Sequence, residues 1–230
     1  MVKSFREGES MTAIFERGVL IKEEKGKTEE KNGTYVEYTA DIDIFKTHKY
    51  ISEYIDNQMW FYVYLNAGLT INFNGNKYFS KNGLLDLLER KTNAEEIKYP
   101  IIHLKEGDIE MAITHDSHYG EDYYSFVNGQ NTTQGGTHVA AFKEALVRTV
   151  RDFYGKSFEP TDIRASLVSA ISVRIQEPIF ESQTKTKLGS TEVSPEGNSL
   201  KAEINQFVKS QLDNFLHKNP EIADALLRKI

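Results

Sequence analysis

Among its 230 residues the chain has no cysteine. That excludes disulfide staples, thiolate metal sites and cysteine nucleophiles, and it agrees with a cytoplasmic location. Long apolar runs are also missing. The longest, Met59–Leu65, is far short of the roughly 20 residues a membrane-spanning helix needs, so no membrane partner is expected. No basic-then-apolar leader precedes a small-residue cleavage site. No Gly-x-x-x-x-Gly-Lys-Ser/Thr loop is present, and the six histidines form neither an HExxH pair nor a zinc spacing. Positive charge is not in excess. The net charge of −6 argues against a surface that grips nucleic acid everywhere, while leaving a local basic stripe open.

What is present is ordinary globular composition, 39% apolar and 27% charged, enough for one large domain or two modest ones. Met1–Arg6, Thr12–Phe15, Val19–Ile21 and Thr34–Thr39 read as short strands between turns. Lys22–Lys31, where Lys and Glu alternate in sign and nothing asks for burial, reads as a mobile surface loop. Residues 50–66 have β-favouring side chains. Their apolar positions nevertheless fall at three- and four-residue steps, which predicts a helix. Leu69–Phe73 and Asn76–Ser80 around Asn74-Gly75 predict a hairpin, and Asn82 is placed to cap a helix over 84–91. The polar stretch Thr92–Lys98 reads as a domain boundary.

Beyond it, Pro100–Lys105 and Ile109–His115 predict a second hairpin, and Tyr123–Asn128 a further strand. Thr137 is placed to cap an amphipathic helix over His138–Tyr154. A short helix (Pro160–Ser166), a buried strand (Leu167–Ile175) and a long polar connection (Gln176–Pro195) follow. The chain then closes with two helices separated at Asn219-Pro220.

The chemistry legible without a family is sparse. His115 and His118, beside Asp116 and Asp122, have the residue types of a metal site but read as a solvated polar turn. Gln130–Gly136 precedes a helix start, where free backbone N–H groups attract anions; taken alone, a simple cap with a Gly-Gly turn is the favoured reading. In Gln183-Thr-Lys-Thr-Lys187 an amide and a lysine two apart on an extended loop point the same way. That pair suits the terminal phosphate of a nucleotide, although solvated loops share the composition.

The run Tyr124–His138 (YSFVNGQNTTQGGTH) resembles the F-x-N-x-I-x-T-x-x-G-G-T-H signature of the gyrase B / topoisomerase IV B family. The Gln183–Gly189 run (QTKTKLG) is similar to that family's Q-T-K loop. Phe142–Thr149 (FKEALVRT), Ala170–Gln176 (AISVRIQ) and Pro178–Glu181 (PIFE) fit the same family in order and spacing. Arg6–Gly8, Phe15–Gly18, Asn32–Thr34 and Tyr78–Gly83 extend the likeness upstream. The resemblance implies an α+β fold: residues 1–92 as the C-terminal strands and helix of a GHKL (Bergerat) ATPase sandwich, and 93–230 as a transducer of the ribosomal S5 domain 2-like type. It implies a part of the ATPase subunit of an ATP-dependent type IIA DNA topoisomerase. The whole protein would use ATP and Mg²⁺, pair with the A subunit, act on double-stranded DNA, and form a homodimer of B subunits when ATP binds.

By position, Lys185 would reach the γ-phosphate with Gln183 assisting, and Thr34 would help bind adenine. Arg148 and Arg151 would face the DNA cavity. The family's catalytic glutamate and its Mg²⁺-holding asparagine would precede Met1. No catalytic or metal-binding residue is therefore expected within the chain, which by itself should neither hydrolyse ATP nor bind it appreciably. Asp162-Ile-Arg164 and Phe180-Glu-Ser182 tilt the reading toward topoisomerase IV B. The competing expectations are a transducer from another GHKL machine and a non-enzymatic S5-like nucleic-acid-binding module. The latter needs a broadly basic surface that a charge of −6 does not supply.

Overall fold

The computed structural model describes residues 1–230, which form two compact units, Met1–Glu53 and Tyr54–Ile230. In the first, β1 (Val2–Arg6), β2 (Glu9–Glu16), β3 (Val19–Lys27) and β4 (Gly33–Val36) make an antiparallel sheet of order β3-β2-β1-β4, followed by one helical turn, α1 (Ile42–Phe45). The expected mobile loop over 22–31 is mostly strand, since β3 continues to Lys27 against β2. Every residue of β3 is exposed, so no hydrophobic alternation could mark it. The ladder to β2 satisfies its backbone, and its alternating charges pair along the strand, Lys22 with Glu24 at 2.6 Å and Lys25 with Glu23 at 3.2 Å.

The second unit starts from α2 (Ser52–Leu65), the helix that the three- and four-residue spacing predicts. A hairpin follows, β5 (Thr70–Phe73) and β6 (Asn76–Phe79), in which Asn74 (φ 49°) and Gly75 (φ 81°) supply the two positive φ values of a type I′ turn. Next come α3 (Leu84–Lys91), β7 (Ile102–Glu106), β8 (Ile109–His115), β9 (Glu121–Val127), β10 (Gln130–Asn131), α4 (Thr137–Tyr154), α5 (Pro160–Arg164), β11 (Leu167–Val173), α6 (Leu200–Lys218) and α7 (Pro220–Lys229). Five of the strands form one mixed sheet of order β10-β9-β11-β8-β7. Within it β9 and β11 run parallel, and the crossover such a pair requires is supplied by α4.

Both faces of this sheet are covered, which explains why Met111–His115 and Leu167–Ala170 are buried without a polar alternation. Met111, Ile113, Leu167 and Ile171 pack with Phe142, Leu146, Ile204, Val208 and Leu212 of α4 and α6. Ala112, Phe126, Val168 and Ala170 point the other way and pack with Tyr64, Leu84, Leu87 and Leu88 of α2 and α3. By packing, α2 and α3 belong with the second compact unit. The apolar faces of α2 and α3 are buried on the sheet that follows them.

Two expected caps are made differently. The N-cap of α3 is Gly83, not Asn82, and the side chain of Asn82 donates to Asp86 instead. The N-cap of α4 is Gly136, while Thr137 is the first helical residue and its hydroxyl donates to Ser190 O at 2.6 Å. His115 is also not part of a solvated turn. It is buried at the end of β8, with Tyr99 Oη 2.5 Å from Nδ1 and Ile163 O 2.7 Å from Nε2. His118 does lie in the polar turn, between Asp116 and Asp122, but no group of three or more His, Cys, Asp or Glu side chains is placed to hold a metal ion.

Candidate functional site

Residues 174–199 carry no regular helix or strand, yet their backbone is extensively bonded. Phe180 and Leu188 form an antiparallel bridge, and Glu181 N donates to Lys187 O at 3.0 Å, closing a small hairpin whose tip is 182–186. Leu188 also bridges Gly136: Leu188 N donates to Gly135 O (3.0 Å) and Thr137 N to Leu188 O (3.1 Å). Gln134 N donates to Thr186 O at 2.9 Å. The Gly-Gly-Thr-His turn and the Gln-Thr-Lys loop, separated by more than forty positions, are thus sewn together through backbone. Gly136 (φ 128°) is required there, because a Cβ would lie 2.3 Å from Leu188 O.

Asn128 holds the other end of the connection. Its Oδ1 accepts from Ile175 N (2.9 Å) and its Nδ2 donates to Ile175 O (2.8 Å), while its φ of 50° is one that asparagine tolerates. Behind the turn, His138 is fully buried. Its Nε2 lies 3.1 Å from Thr132 Oγ1, which is itself bonded to Ser125, and Nδ1 has no partner. Burial in apolar surroundings holds the His138 pKa down to about 4.

The loop tip is a turn and not the extended segment its sequence predicted. Lys185 N donates to Ser182 O at 3.0 Å, and Lys185 adopts a left-handed conformation, φ 55°. Lys185 and Gln183 are both exposed; Lys185 lines an open pocket of about 360 Å³ with Gln58, Tyr62, Asn128, Gln130 and Phe180, and Gln183 lies outside that lining. No carboxylate lines the cavity, and Lys185 takes part in no ion pair; Lys187, two residues on, is paired with Glu181 at 2.9 Å. A lysine with no ion-pair partner, lining a pocket with Gln58, Asn128, Gln130 and Tyr62, has chemistry suited to an oxyanion, a phosphate oxygen included. Sequence reasoning missed Gln58 and Tyr62, which arrive from a helix more than a hundred residues away. It also passed over Asn128, for which the Asn-Gly dipeptide was the available signal.

The remaining candidates are scattered. Thr34 lies exposed on β4 of the first unit, opposite Ser4 of β1. Arg148 and Arg151 share α4 but differ in environment. Arg151 is half-buried, and its Nε donates to Phe158 O at 2.8 Å. Arg148 is exposed and lines an open groove of about 460 Å³ with Asn205, Lys209, Asp213 and Asn214 of α6. Glu144, the carboxylate one turn from Arg148, is engaged by Lys201 at 2.7 Å.

A family model described as DNA gyrase B matches residues 49–230. Over all 230 residues the chain is 40% identical to the B subunit of DNA topoisomerase 4 from Borreliella burgdorferi, covering 37% of that protein. It is 33% identical to the B subunit of DNA gyrase from Cytophaga aurantiaca, with 87% of the chain and 46% of the relative covered. The chain thus spans less than half the length of these curated relatives. Among solved structures, the 43K ATPase domain of Thermus thermophilus gyrase B, in complex with an aminocoumarin, superposes with a TM-score of 0.77. The identity is 27%, and 99% of this chain and 66% of that one are covered. The ATP-binding domain of Francisella tularensis topoisomerase IV has the same fold, with a TM-score of 0.76 at 23% identity. The match over residues 49–230, the stitched Gly-Gly-Thr-His and Gln-Thr-Lys motifs and the shared α+β fold lead to one assignment: this chain belongs to the DNA gyrase B family of type IIA topoisomerase B subunits.

Proposed function

We propose that the chain is the phosphate-sensing and relay portion of an ATP-driven type II DNA topoisomerase B subunit, with residues 1–92 closing the ATPase domain and 93–230 serving as transducer. The observation that carries the proposal is the state of Lys185: unpaired, in a cavity without carboxylates, on a loop fixed through backbone to the start of α4. A cation so placed binds a third phosphate while that phosphate exists and loses its partner on hydrolysis. The charge-assisted bond therefore reports the nucleotide state, and α4, which spans the sheet, carries the change away. Gln183 at the same tip would assist, and Thr34 would contribute to the adenine end. ATP supplies the phosphate and Mg²⁺ its charge balance in the whole subunit. Within this chain the residues present fit the phosphate end of such a nucleotide, in a cytoplasmic enzyme that pairs with an A subunit and dimerises on ATP. Among the two named activities, topoisomerase IV is favoured by the higher identity to the Borreliella relative than to the Cytophaga gyrase.

In the intact subunit, Lys185→Ala is expected to lower kcat/KM for ATP by about 10²–10³, the usual loss when one donor to a developing oxyanion is removed. ADP binding should hardly change. A variant that still turns over ATP at the parent rate rejects the assignment.

A second reading rests on Arg148. With Lys209 it gives the α4–α6 groove a local positive edge that the net charge conceals. We read it as a sequence-blind contact to the DNA backbone, and assign Arg151 less of it because its guanidinium is already bonded. In the intact enzyme, Arg148→Ala should reduce the slope of log activity against log salt for DNA-stimulated ATP hydrolysis by about one. An unchanged slope would remove Arg148 from the DNA path.

A further inference from the structure

The helix α3 begins without a side-chain cap of its own. Gly83 has none to offer, and the Asp86 carboxylate is spent on the turn before it, accepting from Ser80 Oγ, Lys81 N and Asn82 N. The missing cap comes from across the sheet. Glu110 of β8 lies on the face that α2 and α3 cover, in register with Ala112, and its Oε1 accepts from Leu84 N at 3.0 Å. The same carboxylate accepts from His103 Nε2 at 3.0 Å and pairs with Lys105 at 3.0 Å, although its side chain is only 12% exposed. Glycine suits the junction: its φ is 64°, and a Cβ on Gly83 would lie 2.6 Å from Glu110 Oε1 and 3.2 Å from Tyr64 O, displacing the carboxylate from Leu84 N. Although burial alone would raise its pKa, the donors from His103, Leu84 and Lys105 outweigh that and hold Glu110 down to about 2. It is a permanent anion at a helix N-terminus, where the backbone dipole favours one.

What Glu110 fastens reaches Lys185. Arg90 of α3 lies over the Trp60 ring of α2 at 4.2 Å and 3.9 Å from Asp56, and Asp56 accepts from Tyr78 Oη of β6 at 2.6 Å. α2, β6 and α3 are thereby one packed layer. The same α2 supplies Gln58 and Tyr62 to the wall of the Lys185 cavity. We propose that Glu110 is a positioning residue: by capping α3 from β8 it locks the α2–α3 layer to the five-stranded sheet, and so fixes the α2 wall of the pocket that Lys185 also lines. This rests on the phosphate-sensing reading of Lys185 given above.

The test uses the intact B subunit and two readouts. The first is amide hydrogen exchange: Glu110→Ala should speed exchange in α3 and the C-terminal half of α2 at least tenfold, while β8 and β11 stay protected. Unchanged exchange in α3 overturns the fastening. The second is the ratio of affinities for a non-hydrolysable ATP analogue and for ADP. Glu110→Ala should cut the preference for the triphosphate about tenfold, and the double variant with Lys185→Ala should lose no more than Lys185→Ala alone. A parent-like ratio, or losses that multiply, makes Glu110 a support of stability only and overturns the positioning role. Glu110→Gln, which keeps an acceptor for Leu84 N without the charge, provides a folded variant if the alanine does not fold; its ratio should fall by a smaller factor. If Lys185→Ala leaves the ratio unchanged, the sensing reading itself fails, and the positioning role with it; hydrogen exchange then decides the fastening alone.

Discussion

Gly136→Ala is expected to destabilise the second unit by about 4 kcal/mol, the scale reached when backbone hydrogen bonds and a left-handed φ are lost together. The added Cβ would stand 2.3 Å from Leu188 O, 2.5 Å from Leu188 N and 2.9 Å from Leu188 C, and all three atoms are backbone with no rotamer to yield. Relief requires the two segments to separate. That breaks the bonds from Leu188 N to Gly135 O and from Thr137 N to Leu188 O, and strains the neighbouring one from Gln134 N to Thr186 O. In a domain of this size such a loss lowers Tm by roughly 8–16 °C. Gly129→Ala separates strain from clash. Gly129 also has a positive φ, 82°, but nothing lies within 4 Å of its would-be Cβ, so only about 1 kcal/mol should be lost. Urea denaturation of the three chains, with cleavage at 182–187 as a probe of the freed loop, checks both numbers. Equal midpoints for the two alanine variants would mean that the Gly136–Leu188 bridge does not hold the loop.

That bridge also marks where sequence reading stops. The hairpin at Asn74-Gly75, the helix over 52–65 and the helix pair at Asn219-Pro220 were legible because their signals are local: positive-φ residues, three- and four-residue spacing, and a proline that cannot continue a helix. Val19–Ile21 read as strand, but the continuation of β3 over Lys22–Lys27 was missed because a stretch exposed on both faces has no hydrophobic period, and what fixes it is a partner strand. The caps of α3 and α4 were assigned to Asn82 and Thr137, the nearest residues of the right type. The actual capping carboxylate of α3 is 26 positions away on β8, a tertiary choice that local propensity cannot register. The candidate site divides in the same way. The lysine loop stands out as a motif, whereas its wall, Gln58 and Tyr62, is created only when α2 packs onto the sheet.

The second unit should also lose about 5 kcal/mol between pH 7 and pH 4.5, because two of its histidines are buried as neutral rings. Burial depresses His115 to about 3, aided by the charge of Lys229 and only partly opposed by its bond to Ile163 O and by Asp116. The bonding agrees: Nε2–H donates to Ile163 O and Nδ1 accepts from the Tyr99 hydroxyl, a pattern that suits the neutral ring. His138, depressed to about 4, has no carboxylate to stabilise a charge. Both folded values lie below the ordinary histidine value, so between them the unfolded chain binds more protons. The stabilisation is complete above pH ~6.5 and is lost as pH falls through the folded values. Glu110, held near 2, adds a further loss only below its ordinary carboxylate range. A unit at the low end of the usual range, about 5 kcal/mol, should therefore unfold between about pH 4 and 5, and a more stable one at lower pH. The two histidines can be told apart by replacement. His115→Leu strands the Tyr99 hydroxyl and Ile163 O and should cost stability already at pH 7. In His138→Leu, Thr132 keeps its bond to Ser125, so neutral stability should stay within about 1 kcal/mol while the acid midpoint moves down. Denaturant titrations at pH 7, 6, 5 and 4.5 measure this directly: a parent whose stability is flat over that range has histidines that are already charged or already wet, and neither fits two rings buried as His115 and His138 are.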